Sequence, residues 1–469
     1  MTGQILPVPD PTLSYWQSVP HFLADLRSTL HPPAKCEVAI VGAGLAGVLS
    51  AYYILETKDY SEDRETSEGQ RNSASERGET VSVVLLDARQ LCSGATGRNG
   101  GHVKATVNTL LNLPNGDKEG GRRRTALQNY VTNVALELKR IAEAEKLDCE
   151  FELRRSFDVY TDTDEAEAFH KRYEIAREKE EGWTRNVSWV DPGMAEQVTS
   201  IVGAKGAFSV PAASFWPYKF VTQLLAVMVK RYPDKLNVQM NTPVTKLTTS
   251  PQSPGKTCLA TDRGTITAGQ VVLATNAYTA GLLPTFKRSI VPVRGMASHH
   301  LPDKEVYPHL NNTYNINFGP GKGVDYLNPR PNGGIVVGGG SWLFVSDIES
   351  WKNNWDDAHL FNEQVMSYWH GYMRDRFLGW NDRNSKTDYV WTGIMGRTGD
   401  GLPLVGRVPG NEGVCVLAGF NGGGMAIIAL CARAIGRIVV EGKDFKDVWV
   451  EEELLEGFGI TEQRLKITY

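Results

Sequence analysis

The 469-residue chain has little of several things. Its six cysteines (36, 92, 149, 258, 415 and 431) include no CxxC and no paired spacing. That excludes a disulfide framework and a thiolate zinc site, and predicts free thiols in a reducing, cytoplasmic setting. There is no excess of base: the net charge of −4 offers no field for nucleic acid or anionic lipid. The opening MTGQILPVPDPTLSYW lacks a basic stretch leading into an apolar core, so no secretory leader is expected. The closing KITY matches no retention or peroxisomal address. No internal repeat is visible. One uncharged run, residues 413–432, has the length of a membrane span, but its five glycines and Asn421 break it in the middle. A strand, a tight turn and a buried helix fit that punctuation, so no span is expected.

What is present is glycine in particular places. VAIV (38–41), a run suited to a strand buried on both faces, is followed by GAGLAG and a helical VLSAYYIL to about Leu55. Gly42, Gly44 and Gly47 complete G-x-G-x-x-G between strand and helix. There glycine allows a tight turn, close approach of main chain to a pyrophosphate, and close helix–strand contact. A second strand-like run ends at Asp87, placed to accept from a ribose hydroxyl and to repel a 2′-phosphate. Asp87 stands forty residues after Gly47, about twice the usual ~20. The polar stretch 58–80 accounts for the excess and reads as a flexible insertion.

The next segment, SGATGRNGGHVKA (93–105), puts four glycines among polar heads. A nicotinamide site on this fold needs no such loop. A flavin does, because an extended FAD must run along protein backbone before its ring is reached. Ser93, Thr96 and Asn99 offer polar partners, Arg98 could meet phosphate or fix the loop, and Gly100 and Gly101 would admit the main chain to the ring. Near the end, VCVLAGFNGGGMAIIALC supplies another strand–turn–helix, with Asn421 to Gly424 as the turn and a helix expected from Met425. Its N-terminus would favour negative charge on a reduced flavin by about 0.3–1 kcal/mol.

Taken in order, VAIVGAGLAGVLSAYYIL, VVLLDAR…CSGATGRNGGH, GQVVLATNAY, VPVRGM, GDGLPLVG and VLAGFNGGGMAIIA resemble the successive signatures of FAD-dependent oxidoreductases related to D-amino-acid oxidase. The resemblance is greatest to the glycine oxidase, sarcosine oxidase and gamma-glutamylputrescine oxidase branch. It implies an α/β (α+β overall) fold: a Rossmann-like FAD-binding domain in discontinuous segments and a substrate domain with an antiparallel sheet. The expected segments are 1–110, 195–290 and 390–469 for FAD, and 111–194 and 291–389 for substrate. It implies oxidation of a C–N bond in a small amine or amino acid, hydride passing to flavin N5 and then to oxygen, giving hydrogen peroxide. It extends the expected cofactor contacts to Leu45, Ala46, Ala88, Arg89, Gly94, Ala95, Gly97, Val244, Thr275, Asn276, Gly396, Gly419, Gly422, Gly423 and Met425. Some relatives attach FAD through a cysteine or a histidine. Here WTGIMGRTGD has no cysteine and the histidine position holds Arg98, so non-covalent FAD is expected.

The reaction needs a neutral amine and an apolar shell, but no metal and no nucleophile. His102 is the leading candidate for contact with flavin or substrate. Arg294 could anchor a carboxylate or hold the domain junction, the second being favoured. Lys104, Tyr326 and Trp342 are possible pocket residues, a structural role being favoured, and His299–His300 reads as a core or surface pair without metal spacing. A hydroxy acid as substrate, an acceptor other than oxygen, or a flavin-binding interaction protein remain open alternatives.

Overall fold

The computed structural model describes residues 5–67, 81–113, 120–306, 309–380, 385–450 and 455–469. Two sheets organise it. The first has the branched run Lys35–Val41 at its centre, paired in parallel with Val81–Leu86 on one side and Gly264–Leu273 on the other. Leu236–Gln239 and Asn411–Ala418 extend it in parallel, and Leu404–Val408 closes one edge antiparallel. A hairpin of Val244–Thr249 and Thr257–Thr261 attaches to Gly264–Leu273. Side chains alternate to opposite faces, so Val38, Ile40, Val83 and Leu85 join one core while Ala39, Val41, Val84 and Leu86 join another. Leu45–Ser67 and Ile428–Glu441 pack on each other where Gly436 lies against Tyr53.

The second sheet runs Lys386–Arg397, Val291–Leu301, Ile335–Gly338, Val324–Pro329, Thr313–Asn317, Glu152–Tyr160, Gly206–Ser214 and His102–Val103. Ser188–Val190 pairs alongside Gly206–Ser214. It is antiparallel except between Thr313–Asn317 and Glu152–Tyr160. Gly206–Ser214, expected within an FAD segment, therefore belongs to the second sheet, as does the HV of GGHVKA.

The helix after the first glycine turn continues to Ser67, past the point expected at Leu55, because 56–67 contains neither glycine nor proline to stop it. The start of the expected insertion, 58–67, is thus helical, and 68–80 lies outside the described residues. Glu363–Met366, Ser367–Trp369 and Tyr372–Arg376 are short helical turns between the strands Ile335–Gly338 and Lys386–Arg397 of the second sheet. The C-terminal helix begins at Ile428 after a single tight turn at Gly424–Ala426, a few residues later than Met425. Among the described residues no helix is long and apolar enough to cross a membrane.

Candidate active site

A cavity of about 720 Å³ opens at the carboxyl ends of the parallel strands and runs into the second sheet. The strand Lys35–Val41 delivers Gly42 at φ +105°, with a would-be Cβ 2.5 Å from the Ala274 carbonyl oxygen. Gly47 packs closer still: a Cβ there would stand 1.7 Å from the Gly42 carbonyl oxygen. Only glycine fits that crossing of turn and helix.

Asp87 holds the turn from the neighbouring strand. Its Oδ2 accepts from the Ala43 N–H at 2.7 Å and its Oδ1 from the Arg89 N–H at 2.9 Å. Burial pushes its carboxyl up, against those two hydrogen bonds. Thr96 Oγ1 accepts from the Leu45 N–H at 3.0 Å, so the second glycine-rich loop caps the helix of the first. Asn99 is a strut as well: its amide donates to the Ala95 and Thr96 carbonyls, and its Oδ1 accepts from the Gly101 N–H.

Of the residues expected to meet the cofactor, Gly42, Gly44, Ala46, Asp87, Ala88, Arg89, Ser93, Gly94, Ala95, Thr96, Arg98, Asn99, Gly100, Val244, Thr275, Asn276 and Asn421 to Met425 line the cavity. Leu45, Gly47, Gly97, Gly101, Gly396 and Gly419 stand behind its wall, where close packing sets them. Arg98 fixes the loop rather than reaching for phosphate. It donates to the Ser93 carbonyl (2.9 Å), Thr12 Oγ1 (3.1 Å) and the Thr392 carbonyl (2.7 Å). Arg294 donates to the Ser350 and His359 carbonyls and stacks 4.4 Å above Phe361, which ties it to the loop beyond the second sheet.

At the second-sheet end the walls are Met296, Val324, Tyr326, Phe344, Val345 and Trp351, with His102 and Lys104 entering from the loop. Burial, then the nearby Lys104, drives the His102 imidazolium well below its usual range, so the ring is neutral. Tyr326 meets it edge-on at 5.4 Å, and burial raises its phenol to about 12. Trp342 is not on the wall; it packs against Phe318 and Tyr368. His299 and His300 are core residues: His299 stacks on Tyr15 at 3.7 Å and bonds Asp388, while His300 bonds Ser298. No cluster of metal-ligating groups occurs among the described residues.

Sequence reasoning missed several contributors. Asp357 takes both Arg89 amino groups, at 2.8 and 3.1 Å, with its side chain 1% exposed. Tyr278 and Arg397 line the cavity, and the N-terminal residues Ile5 to Pro7 cover part of it. Ser14 Oγ and Trp16 Nε1 donate to the Gly97 and Asn99 carbonyls, each at 2.5 Å. An ion pair spanning 268 positions and a segment without periodic pattern leave no local signal.

The cavity fits FAD on a separate observation. Ser93 Oγ, His102 Nδ1, Tyr278 OH, Arg294 Nε and Arg397 Nε are buried without a hydrogen-bond partner, and all five residues line this cavity. Buried polar atoms are almost always satisfied, so these await a polar ligand.

Comparison with known structures finds the same fold. Glycine oxidase from Geobacillus kaustophilus aligns at TM-score 0.66 and 19% identity, covering 92% of this chain and 99% of that one. L-amino acid deaminase from Proteus vulgaris, with its specific insertion deleted, aligns at 0.66 and 14%, covering 95% and 99%. L-alpha-glycerophosphate oxidase from Mycoplasma pneumoniae, with FAD bound, aligns at 0.61 and 15%, covering 87% and 96%. No curated protein sequence matches. The family model described as "DAO: FAD dependent oxidoreductase" matches residues 37–438. With its glycine turns, its acid after the second strand and its orphaned polar atoms along one cavity, the chain belongs to the FAD-dependent oxidoreductases of the DAO family, and FAD is its cofactor.

Proposed function

We propose that this protein oxidises a C–N bond in a small amine or amino acid, using non-covalently held FAD and oxygen, to give an imine and hydrogen peroxide. The observation that carries the reading is continuity. The cavity lined by the dinucleotide turn, the loop after Asp87 and the Asn421–Met425 turn runs unbroken into an apolar chamber with His102 and Lys104 in its wall. FAD, when bound, accepts the hydride removed from the substrate carbon.

The chain's own residues supply the surroundings. Buried Met296 and Phe344, with Trp351, give the chamber apolar walls that keep water from the reacting carbon. Neutral His102 and protonated Tyr326 can orient a substrate without adding charge. The cavity-lining acid, Asp87, is occupied at the dinucleotide turn. Among the described residues the cavity is lined without a cysteine, which supports a cofactor held without a covalent link. Glycine oxidase and L-amino acid deaminase among the similar structures agree with a nitrogen substrate. The glycerophosphate oxidase shows that the fold also serves a carbon bearing oxygen.

The test is an anaerobic screen of the yellow holoenzyme with amines, amino acids and hydroxy acids. Bleaching by nitrogen compounds, followed by peroxide on re-aeration, is the expected result. Bleaching by hydroxy acids alone overturns the substrate class, and bleaching without peroxide overturns oxygen as acceptor.

A further inference from the structure

Resting on the amine reading above, we propose that Lys104 is the catalytic base that takes the proton from a substrate ammonium, with Ser156 and Asp158 holding it in place. An amine carries its proton at neutral pH, and a carbon beside an ammonium does not give up hydride readily. Some group in the chamber has to accept that proton first.

The groups lining the cavity leave one choice. Asp87 has both oxygens engaged at the dinucleotide turn. The arginines are permanent cations. The Tyr278 and Tyr326 phenols are raised by burial and stay protonated. Tyr469 is exposed to solvent. His102 is so disfavoured as a cation that it cannot keep a proton.

Lys104 differs from all of these in its setting. It lines the cavity, and among the described residues its ammonium has one hydrogen bond, to Ser156 Oγ at 2.7 Å. Ser156 passes its own hydrogen to the Thr313 carbonyl at 3.1 Å, so its oxygen is turned to accept. Asp158 stands two residues further along the same strand, on the same face, 1% exposed. Its Oδ2 accepts from the Val107 N–H at 2.7 Å while its Oδ1 has no partner. The titratable neighbours are therefore His102 on the loop and Asp158 on the strand. Burial pulls the Lys104 ammonium down, and Asp158 opposes this only in part. Burial likewise holds the Asp158 carboxyl up, against Lys104 and the Val107 N–H. A lysine so placed is a neutral amine within reach of neutral pH, and its cationic form has a carboxylate nearby to balance it.

The step is a proton transfer between nitrogens. The N–H bond of R–CH–NH₃⁺ breaks, an N–H bond forms on Lys104, and the electron pair left behind stays on the substrate nitrogen. No redox partner enters.

The experiment is the rate of anaerobic flavin bleaching against pH for wild-type, K104M and K104R holoenzymes, with an amine found by the screen. In the wild type the rate should level off above neutral pH. In K104M it should be about 10²-fold lower at pH 7, in line with loss of a general base. It should then rise about tenfold per pH unit until the substrate loses its own proton. K104R keeps the charge but cannot accept a proton, so it should behave like K104M. An amine made weakly basic by fluorination, already neutral at pH 7, should restore the variants to near wild-type rates. If K104M follows the wild-type profile, or loses as much on the neutral amine, the assignment to Lys104 is overturned while the amine reading stands. If the wild type is bleached by no amine, the amine reading falls and takes this assignment with it.

Discussion

Arg89 and Asp357 form a buried ion pair, 2.8 Å at its shorter contact, that joins the segment two residues after Asp87 to the loop beyond the second sheet. Arg98 lies 3.6 Å from the same carboxylate. One acid thus balances two guanidiniums, each under a tenth exposed. Removing it leaves two uncompensated cations where neither can reach water. D357A should destabilise the holoenzyme by about 3–5 kcal/mol, and D357N by less, since the amide keeps an acceptor oxygen. Denaturant unfolding measures both.

The glycine turn permits a ranked pair of substitutions. A Cβ at Gly47 meets backbone, the Gly42 carbonyl oxygen at 1.7 Å, and has nowhere to move. A Cβ at Gly44 meets the Thr96 hydroxyl at 2.9 Å, the tip of a side chain. G47A should yield colourless or insoluble protein, whereas G44A should keep its flavin with an affinity weakened by about tenfold, the worth of one disturbed helix cap. Flavin absorbance per polypeptide after gel filtration decides the order.

His300 predicts a pH dependence of stability. Burial, then His299, holds its folded value down to about 3, against a reference near 6.5. Below pH 6.5 the unfolded chain takes up a proton that the folded chain refuses, so folding loses stability as pH falls across that window. The slope from this residue is about 1.4 kcal/mol per pH unit. H300Q should flatten the pH dependence between 6 and 4 by about that slope, whatever its effect at pH 7, as read from unfolding free energies.

Acid precipitation tests how FAD is held. Among the described residues no cysteine lines the cavity, and the histidine that does is His102, its Nδ1 without a hydrogen-bond partner and its ring neutral. The flavin should pass entirely into the supernatant. Colour retained in the pellet, and lost in H102N, would instead show a bond to that ring.

Much of this was legible in the chain because local rules govern it. The branched run before Gly42, the acid after the second strand and the late glycine cluster follow from strand period and turn chemistry, and each reaches the same cavity. The roles within the loop were less legible. Thr96 and Asn99 spend their polar atoms on the helix start and on the loop itself, and Arg98 on Thr12, Ser93 and Thr392. A sequence shows which atoms are available but not which neighbour claims them. Asp357 and Asp158 escaped notice for another reason. Their meaning comes from burial beside residues far away in the chain, and isolated charges in a polar stretch carry no such mark.

The Arg98 carbonyl accepts from Trp391 Nε1 at 2.9 Å, Asn99 donates to Met425 Sδ at 3.2 Å, and Trp16 Nε1 reaches the Asn99 carbonyl. The loop is therefore shaped by the earliest and the latest parts of the polypeptide together. A ribosome must release the chain through Met425 before the cradle can close, so the cofactor meets a polypeptide in which Trp16, the loop, Trp391 and Met425 have all been made. A stop codon shortly before Trp391 should leave a product that never turns yellow, although the first glycine turn was made long before.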